Sequence, residues 1–144
     1  MSRTLALALA TLALAPRIAL PQEDDDLERA IRRVASAWAR GDATAIANRA
    51  ARSGLSIDLS GGPAGPLGTR QATAALRDLL ADHETLSLRA GIARIVGGAP
   101  PRAFAELAWL HRARGTTLPE RATIFLAFIR EPDGWRITEI RLLR

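Results

Sequence analysis

The sequence predicts an α+β domain: three N-terminal helices packed on the concave face of a strongly bent antiparallel sheet, cone-shaped overall. Three observations predict it. Apolar residues recur at helical spacing before residue 83, four long β-type runs fill the chain from Leu86 onward, and turn-rich links join those runs. Short links between adjacent strands imply antiparallel pairing. A length of 144 residues suits one domain, and 48% apolar with 24% charged residues suits a packed globule rather than a disordered chain.

The first 22 residues read as an export signal. Arg3 supplies a short positive region, and Leu5 to Ala15 (LALALATLALA) is an 11-residue apolar run. That run is too short to span a bilayer as a helix and fits the apolar segment of a signal peptide. Ala13 and Ala15 have the small-residue cleavage pattern, but Pro16 follows; a cut near Pro21 or Gln22 is the alternative, as is an uncleaved membrane-associated helix. Residues 23–144 then form the mature, exported domain, periplasmic or secreted, with no later segment able to span a membrane. Losing Arg3 and Arg17 leaves 18 arginines against 15 acids, a net charge of +3.

Gln22 to Asp26 (QEDDD) reads as a polar linker running into the first helix, its aspartates at the positive end of the helix dipole. Leu27, Ala30, Ile31, Val34 and Trp38 make one apolar stripe, with Arg29, Arg32, Arg33 and Arg40 opposite. Gly41 suits a C-cap, and Asp42 can cap a second helix over Ala43 to Arg52. Leu55 to Leu59 alternates as a short strand. The Gly- and Pro-rich stretch from Ser60 to Gly68 reads as a loop, and Thr69 as the N-cap of a third helix with the stripe Ala72, Ala75, Leu76, Leu79 and Leu80.

The four strand runs are Leu86 to Val96, Ala103 to Arg114, Arg121 to Arg130 and Trp135 to Leu143. Gly91 permits the first to bend, and Ile124 to Ile129 (IFLAFI), apolar on both faces, suits a central strand. A bent sheet closed by helices leaves a cavity. Trp38, Trp109, Leu107 and Phe125 are expected to wall it, and Trp135 to be structural.

Composition removes much chemistry. There is no cysteine, tyrosine or lysine, and all 20 basic residues are arginine. Disulfides, thiolate and Schiff-base catalysis and zinc–cysteine sites are excluded. Two histidines make a poor metal case, and no cofactor is implied. The loop Gly61 to Gly68 lacks the Lys-Ser or Lys-Thr of a phosphate-binding loop. The arginines are scattered, with no concentrated basic face and no stacking aromatics, so no nucleic-acid partner is expected.

Three segments, in order, resemble the nuclear transport factor 2-like superfamily with its cystatin-like α+β roll. They are Ala35 to Ile46 (ASAWARGDATAI), Gly68 to Leu80 (GTRQATAALRDLL) and Asp133 to Ile140 (DGWRITEI). The chain is most similar to small secreted bacterial members of unknown function. The superfamily also holds steroid isomerases, dehydratases and polyketide cyclases, so fold alone does not assign activity.

The resemblance implies a general base at Asp58, ten residues before Gly68; the alternative is a solvated aspartate on the polar face with Ser56 and Ser60. His111 shares a strand face with Ala103, Ala105, Leu107 and Trp109 (a face without charge), so it points inward near the cavity rim. There it acts as acid or base, or is a partly exposed strand-end residue. Glu139 faces the cavity if Trp135 and Ile137 are core, although Ile140 and Leu142 prefer the opposite register. His83 suits the C-terminal end of the third helix dipole. The tyrosine of the isomerase oxyanion hole is missing. The expected function is therefore that of a non-catalytic accessory domain binding a small apolar or amphipathic ligand in its cone-shaped cavity, or pairing through the outer sheet face (Phe104, Ala108, Leu110) as a homodimer. The alternative is an isomerase, cyclase or dehydratase using Asp58 as base with His111 or Glu139 as partner.

Overall fold

The computed structural model describes residues 21–59 and 61–144. The expected signal segment lies outside them up to residue 20. Three helices, α1 (Pro21–Ala39), α2 (Ala43–Ala47) and α3 (Thr69–Asp82), accompany six strands: β1 (Leu55–Asp58), β2 (Pro63–Leu67), β3 (His83–Val96), β4 (Arg102–Ala113), β5 (Glu120–Glu131) and β6 (Gly134–Leu143). The strands form one sheet in the order β2-β1-β6-β5-β4-β3. No described helix is long and apolar enough to cross a membrane.

The acidic stretch read as a linker is helical. Glu23 and Asp24 occupy the first turn of α1, where the dipole favours carboxylates. The predicted stripe is the buried one: Leu27, Ala30, Ile31, Val34 and Trp38 all lie in the core. Helix α1 ends as expected. Gly41 takes φ 69°, its N–H donates to the Trp38 carbonyl, and the Asp42 N–H donates to the Ala37 carbonyl. Asp42 then accepts from the Ala45 N–H at 3.0 Å and caps α2.

Helix α2 stops at Ala47, short of the expected Arg52. The backbone leaves it to pair with β6: the Ala51 N–H donates to the Ile137 carbonyl, and the Ile137 N–H donates to the Arg49 carbonyl, both at 2.8 Å. The stretch expected to be a loop contains β2. It pairs only with β1, which is where its two prolines are tolerated, since an edge strand can lack donors on one side. Gly68, rather than Thr69, is the N-cap of α3, and its carbonyl accepts from the Ala72 N–H.

The four long strands are antiparallel neighbours, as expected, and β5 is central. The sheet is nevertheless mixed, because β1 runs parallel to β6. No hairpin joins that pair, so nothing forces it antiparallel. The β3 ladder slips between Ala90 and Ala93, around Gly91. A side chain at Gly91 would meet the Glu106 carbonyl oxygen at 3.2 Å.

One face of the sheet carries the core. Ala105, Leu126 and Ile140 stand in register across β4, β5 and β6, followed by Ile57 of β1, and all four are buried. Helix α1 packs on β3, β4 and β6, while α3 packs on β1, β2 and β3. Trp38 of α1 is fully buried and meets Trp109 of β4 edge-to-face, with centroids 5.4 Å apart. Burying such a side chain contributes about 2–3 kcal/mol, and the paired geometry about 1 kcal/mol more.

The β1–β2 hairpin depends on Gly65. Its φ is +134°, and an added Cβ would meet the Ser56 Cα at 2.8 Å and the Leu55 carbonyl oxygen at 2.9 Å. Gly65→Ala is expected to destabilise the fold by about 2–3 kcal/mol. Gly97→Ala, where nothing lies within 4 Å, changes stability little. Urea denaturation of both variants checks the contrast.

Candidate functional site

Strand β4 alternates strictly. Ala103, Ala105, Leu107, Trp109 and His111 are buried, and the residues between them are partly or fully exposed. His111 is therefore inward, but it is not at an open rim. It is 1% exposed, the one buried polar or charged residue among those described. Its imidazole stacks on Trp109 with centroids 3.9 Å apart. His83 stands 5.0 Å away, edge-on to it. The Trp109 indole N–H donates to the Thr85 hydroxyl at 2.9 Å.

His83 joins α3 to β3. Its Nδ1 lies 2.9 Å from the Leu79 carbonyl, which can only accept, so Nδ1 carries the proton and the ring satisfies a carbonyl of the last helical turn. This matches the helix-end placement expected for it. The His111 Nδ1 has no hydrogen-bond partner among the described residues, and neither has the Trp38 indole nitrogen. Burial pushes the His111 pKa below the ordinary histidine value, and the neighbouring His83 adds to the shift.

Beside this cluster a pocket of about 310 Å³ opens between α3 and the β1–β2 hairpin. Ile57, Leu59, Leu67 and Leu79 line it, with Asp78, Asp82 and His83 supplying polar groups. The two aspartates are exposed, at its mouth, and His83 is half-buried. Both aspartates fall outside the apolar stripe of the third helix. Their i, i+4 spacing, immediately before a histidine, was the available signal.

The proposed acid–base residues do not converge. Asp58 alternates with the buried Leu55 and Ile57, and it lies opposite Arg141 across the β1–β6 ladder. That is the face of the sheet away from His111. Glu139 lies on the same outer face and pairs with Arg141. The reason is a bulge. The β5–β6 register slips between Ala127 and Phe128, leaving Thr138 as the extra residue. Trp135 and Ile137 before it, and Ile140 and Leu142 after it, are consequently all buried, and Glu139 turns outward.

The expected cavity walls divide similarly. Trp38, Leu107 and Trp109 are buried and belong to the packed core. Phe125 alternates with the buried Ile124 and Leu126, so it faces outward, where it stacks on Phe104 at 5.6 Å. No group of three or more His, Asp or Glu side chains among the described residues is arranged to hold a metal ion.

The arrangement of helices and mixed sheet recurs in solved structures. A cystatin-like domain of unknown function from Nostoc punctiforme superposes with a TM-score of 0.67 at 13% identity, over 87% of this chain and 78% of that one. The chain has the cystatin-like, nuclear transport factor 2-like fold. A nuclear transport factor 2-like protein from Novosphingobium aromaticivorans matches with a TM-score of 0.59 at 20% identity, over 84% of this chain and 80% of that one. A DUF4783 family protein from Bacteroides uniformis gives 0.64 at 11% identity, covering 78% and 94%. No protein-family model and no curated protein matches the sequence. The likeness is one of fold and assigns no activity.

Because the folded His111 holds its proton less well than an unfolded histidine, the unfolded chain protonates first as pH falls. This contribution to stability is intact at pH 8 and is lost as pH falls through about 6.5 toward the folded-state pKa. Thermal melts between pH 8 and 5.5 should show the loss. His111→Leu should flatten the profile in that window, and it should be neutral or stabilising at pH 8, since no hydrogen bond of Nδ1 is lost.

Proposed function

We propose that this protein is an exported, non-catalytic binding domain whose helices close a bent, cone-like sheet, and that it takes a small amphipathic ligand between α3 and the β1–β2 hairpin. The observation that carries this reading is the pocket of about 310 Å³ with Leu59, Leu67 and Leu79 on its walls and Asp78, Asp82 and His83 as its polar groups. Small-ligand sites combine such apolar walls with a few placed polar groups, and this volume is at the small end of their range. Two carboxylates at the mouth favour a ligand with a cationic or hydrogen-bond-donating head. The apolar run Leu5 to Ala15 supports export.

Proton-transfer catalysis of the isomerase type needs its acid and base within reach of one substrate atom. Asp58 and Glu139 lie on the sheet face opposite His111, so the separation of these groups favours binding over that chemistry.

A second reading, homodimer formation through the outer sheet face, draws support from Phe104, 38% exposed and stacked on Phe125, and from Ile92, 68% exposed. Light scattering after size exclusion would show a plain monomer if this reading fails.

Octylamine and octanoate have equal chain lengths and opposite head charges. The pocket reading expects octylamine to bind about tenfold more tightly, equivalent to about 1.4 kcal/mol. Asp78→Asn with Asp82→Asn should erase that preference, and Ala75→Phe, which fills the pocket, should weaken both. Equal binding of the two probes by the unmodified protein, measured by calorimetry, would refute the assignment.

A further inference from the structure

A larger concavity lies elsewhere in the molecule. It is a groove of about 780 Å³ between α1, the segment after α2 and the β5–β6 turn. Six arginines line it (Arg29, Arg33, Arg40, Arg49, Arg130 and Arg136) against two aspartates, Asp26 and Asp133. The groove thus holds a net of four positive charges, whereas the whole chain has five. The arginines that look scattered in sequence are gathered here. Arg29 and Arg33 stand at i and i+4 on one face of α1, Arg40 follows directly after its last residue, and the fold brings the other three beside them.

The two aspartates are already engaged. Asp26 receives Arg29 at 2.9 Å and Arg130 at 3.4 Å, and Asp133 is paired with Arg136. Arg136 also donates to the Asn48 carbonyl at 3.2 Å, and Arg40 donates to the Ser36 hydroxyl. Glu131, nearby, accepts from the Arg52 backbone N–H. Arg33 and Arg49 have no carboxylate partner among the described residues, and residues 1–20 contain no acid that might supply one. Arg49 is half-buried, and burial together with Arg33 and Arg136 lowers its pKa. Like charges held close without a counterion are unfavourable until an anion joins them.

We propose that this groove binds a doubly charged phosphate monoester, with Arg33 and Arg49 as its principal ligands and Arg136 beside them. Planar guanidinium groups match tetrahedral oxyanions through paired N–H donors. A nucleic-acid strand would want exposed stacking aromatics. The one aromatic in the lining, Trp135, is 4% exposed, with the Arg130 guanidinium 5.7 Å from its ring.

The test uses residues 21–144 only as part of the full chain, at low ionic strength. Glycerol 3-phosphate at about ten times its Kd should raise the melting midpoint by about 5 °C beyond sodium chloride of matched ionic strength. Arg33→Gln with Arg49→Gln should weaken binding at least tenfold by calorimetry, with no fall in the ligand-free melting midpoint, whereas Arg77→Gln on α3 should bind as before. Vesicles containing phosphatidic acid, compared with phosphatidylcholine alone, distinguish the sources of the monoester. Binding to these vesicles with rejection of the soluble ester assigns a lipid headgroup, and the converse assigns a free metabolite. The proposal is overturned if neither probe binds below about 10 mM, if the double variant binds as well as the unmodified protein, or if only a dT oligonucleotide binds.

Discussion

Trp109 ties the layers of this protein together. Its ring meets Trp38 of α1 on one side and stacks on His111, its own strand neighbour two residues on. Its N–H is held by Thr85 of β3. A helix, a strand end and a neighbouring strand are thus referred to one side chain. A close-packed interior tolerates little change of shape, so His111 and His83 inherit their placement from this contact. The buried histidine is a consequence of strand alternation carried to the last buried position of β4.

The molecule keeps its charged chemistry apart from this apolar centre. Carboxylates and arginines meet at the sheet's outer face, as with Glu139 and Arg141, or along the exposed side of α1. Such exposed pairs contribute little stability individually. Their role is distribution. Where acids are plentiful, as in the Asp26 region, the arginines are neutralised. Where the chain passes from α2 toward β1, Arg49 meets other arginines instead. The two concavities consequently differ in sign: one has aspartates at its mouth, and the other is dominated by guanidinium groups.

This contrast also separates the fold from the chemistry often carried on it. The cystatin-like architecture brings helices and a mixed sheet together around an apolar centre, and here that centre is occupied by Trp38, Leu107 and Trp109. Two of its concave surfaces lie at the edges of the layers: beside the short β1–β2 hairpin, and beside the β5–β6 turn. Both places combine a helix flank with a strand connection, where backbone direction changes and side chains need not fill a closed core.

Most helices and strands were legible from local pattern. The stripe from Leu27 to Trp38, the α1 stop at Gly41, the Asp42 cap and the inward set of β4 each follow from spacing or from short-range hydrogen bonding, which the chain carries within a few residues. Facts that depend on distant backbone were not legible. The early end of α2 requires β6 as partner, β2 requires β1, and the parallel β1–β6 ladder requires both strands to be placed. Thr138 shows the limit most clearly: one extra residue reverses the face of Glu139, and only the register against Ala127 and Phe128 reveals it. The candidate sites divide the same way. His111 was legible as inward because alternation is local. The pocket aspartates and the arginine groove were not, because charges brought together from separate elements have no spacing in the sequence to announce them. Sequence alone determined which residues shun water and where the chain turns; tertiary structure decided which polar groups meet, since that depends on how the elements are stacked.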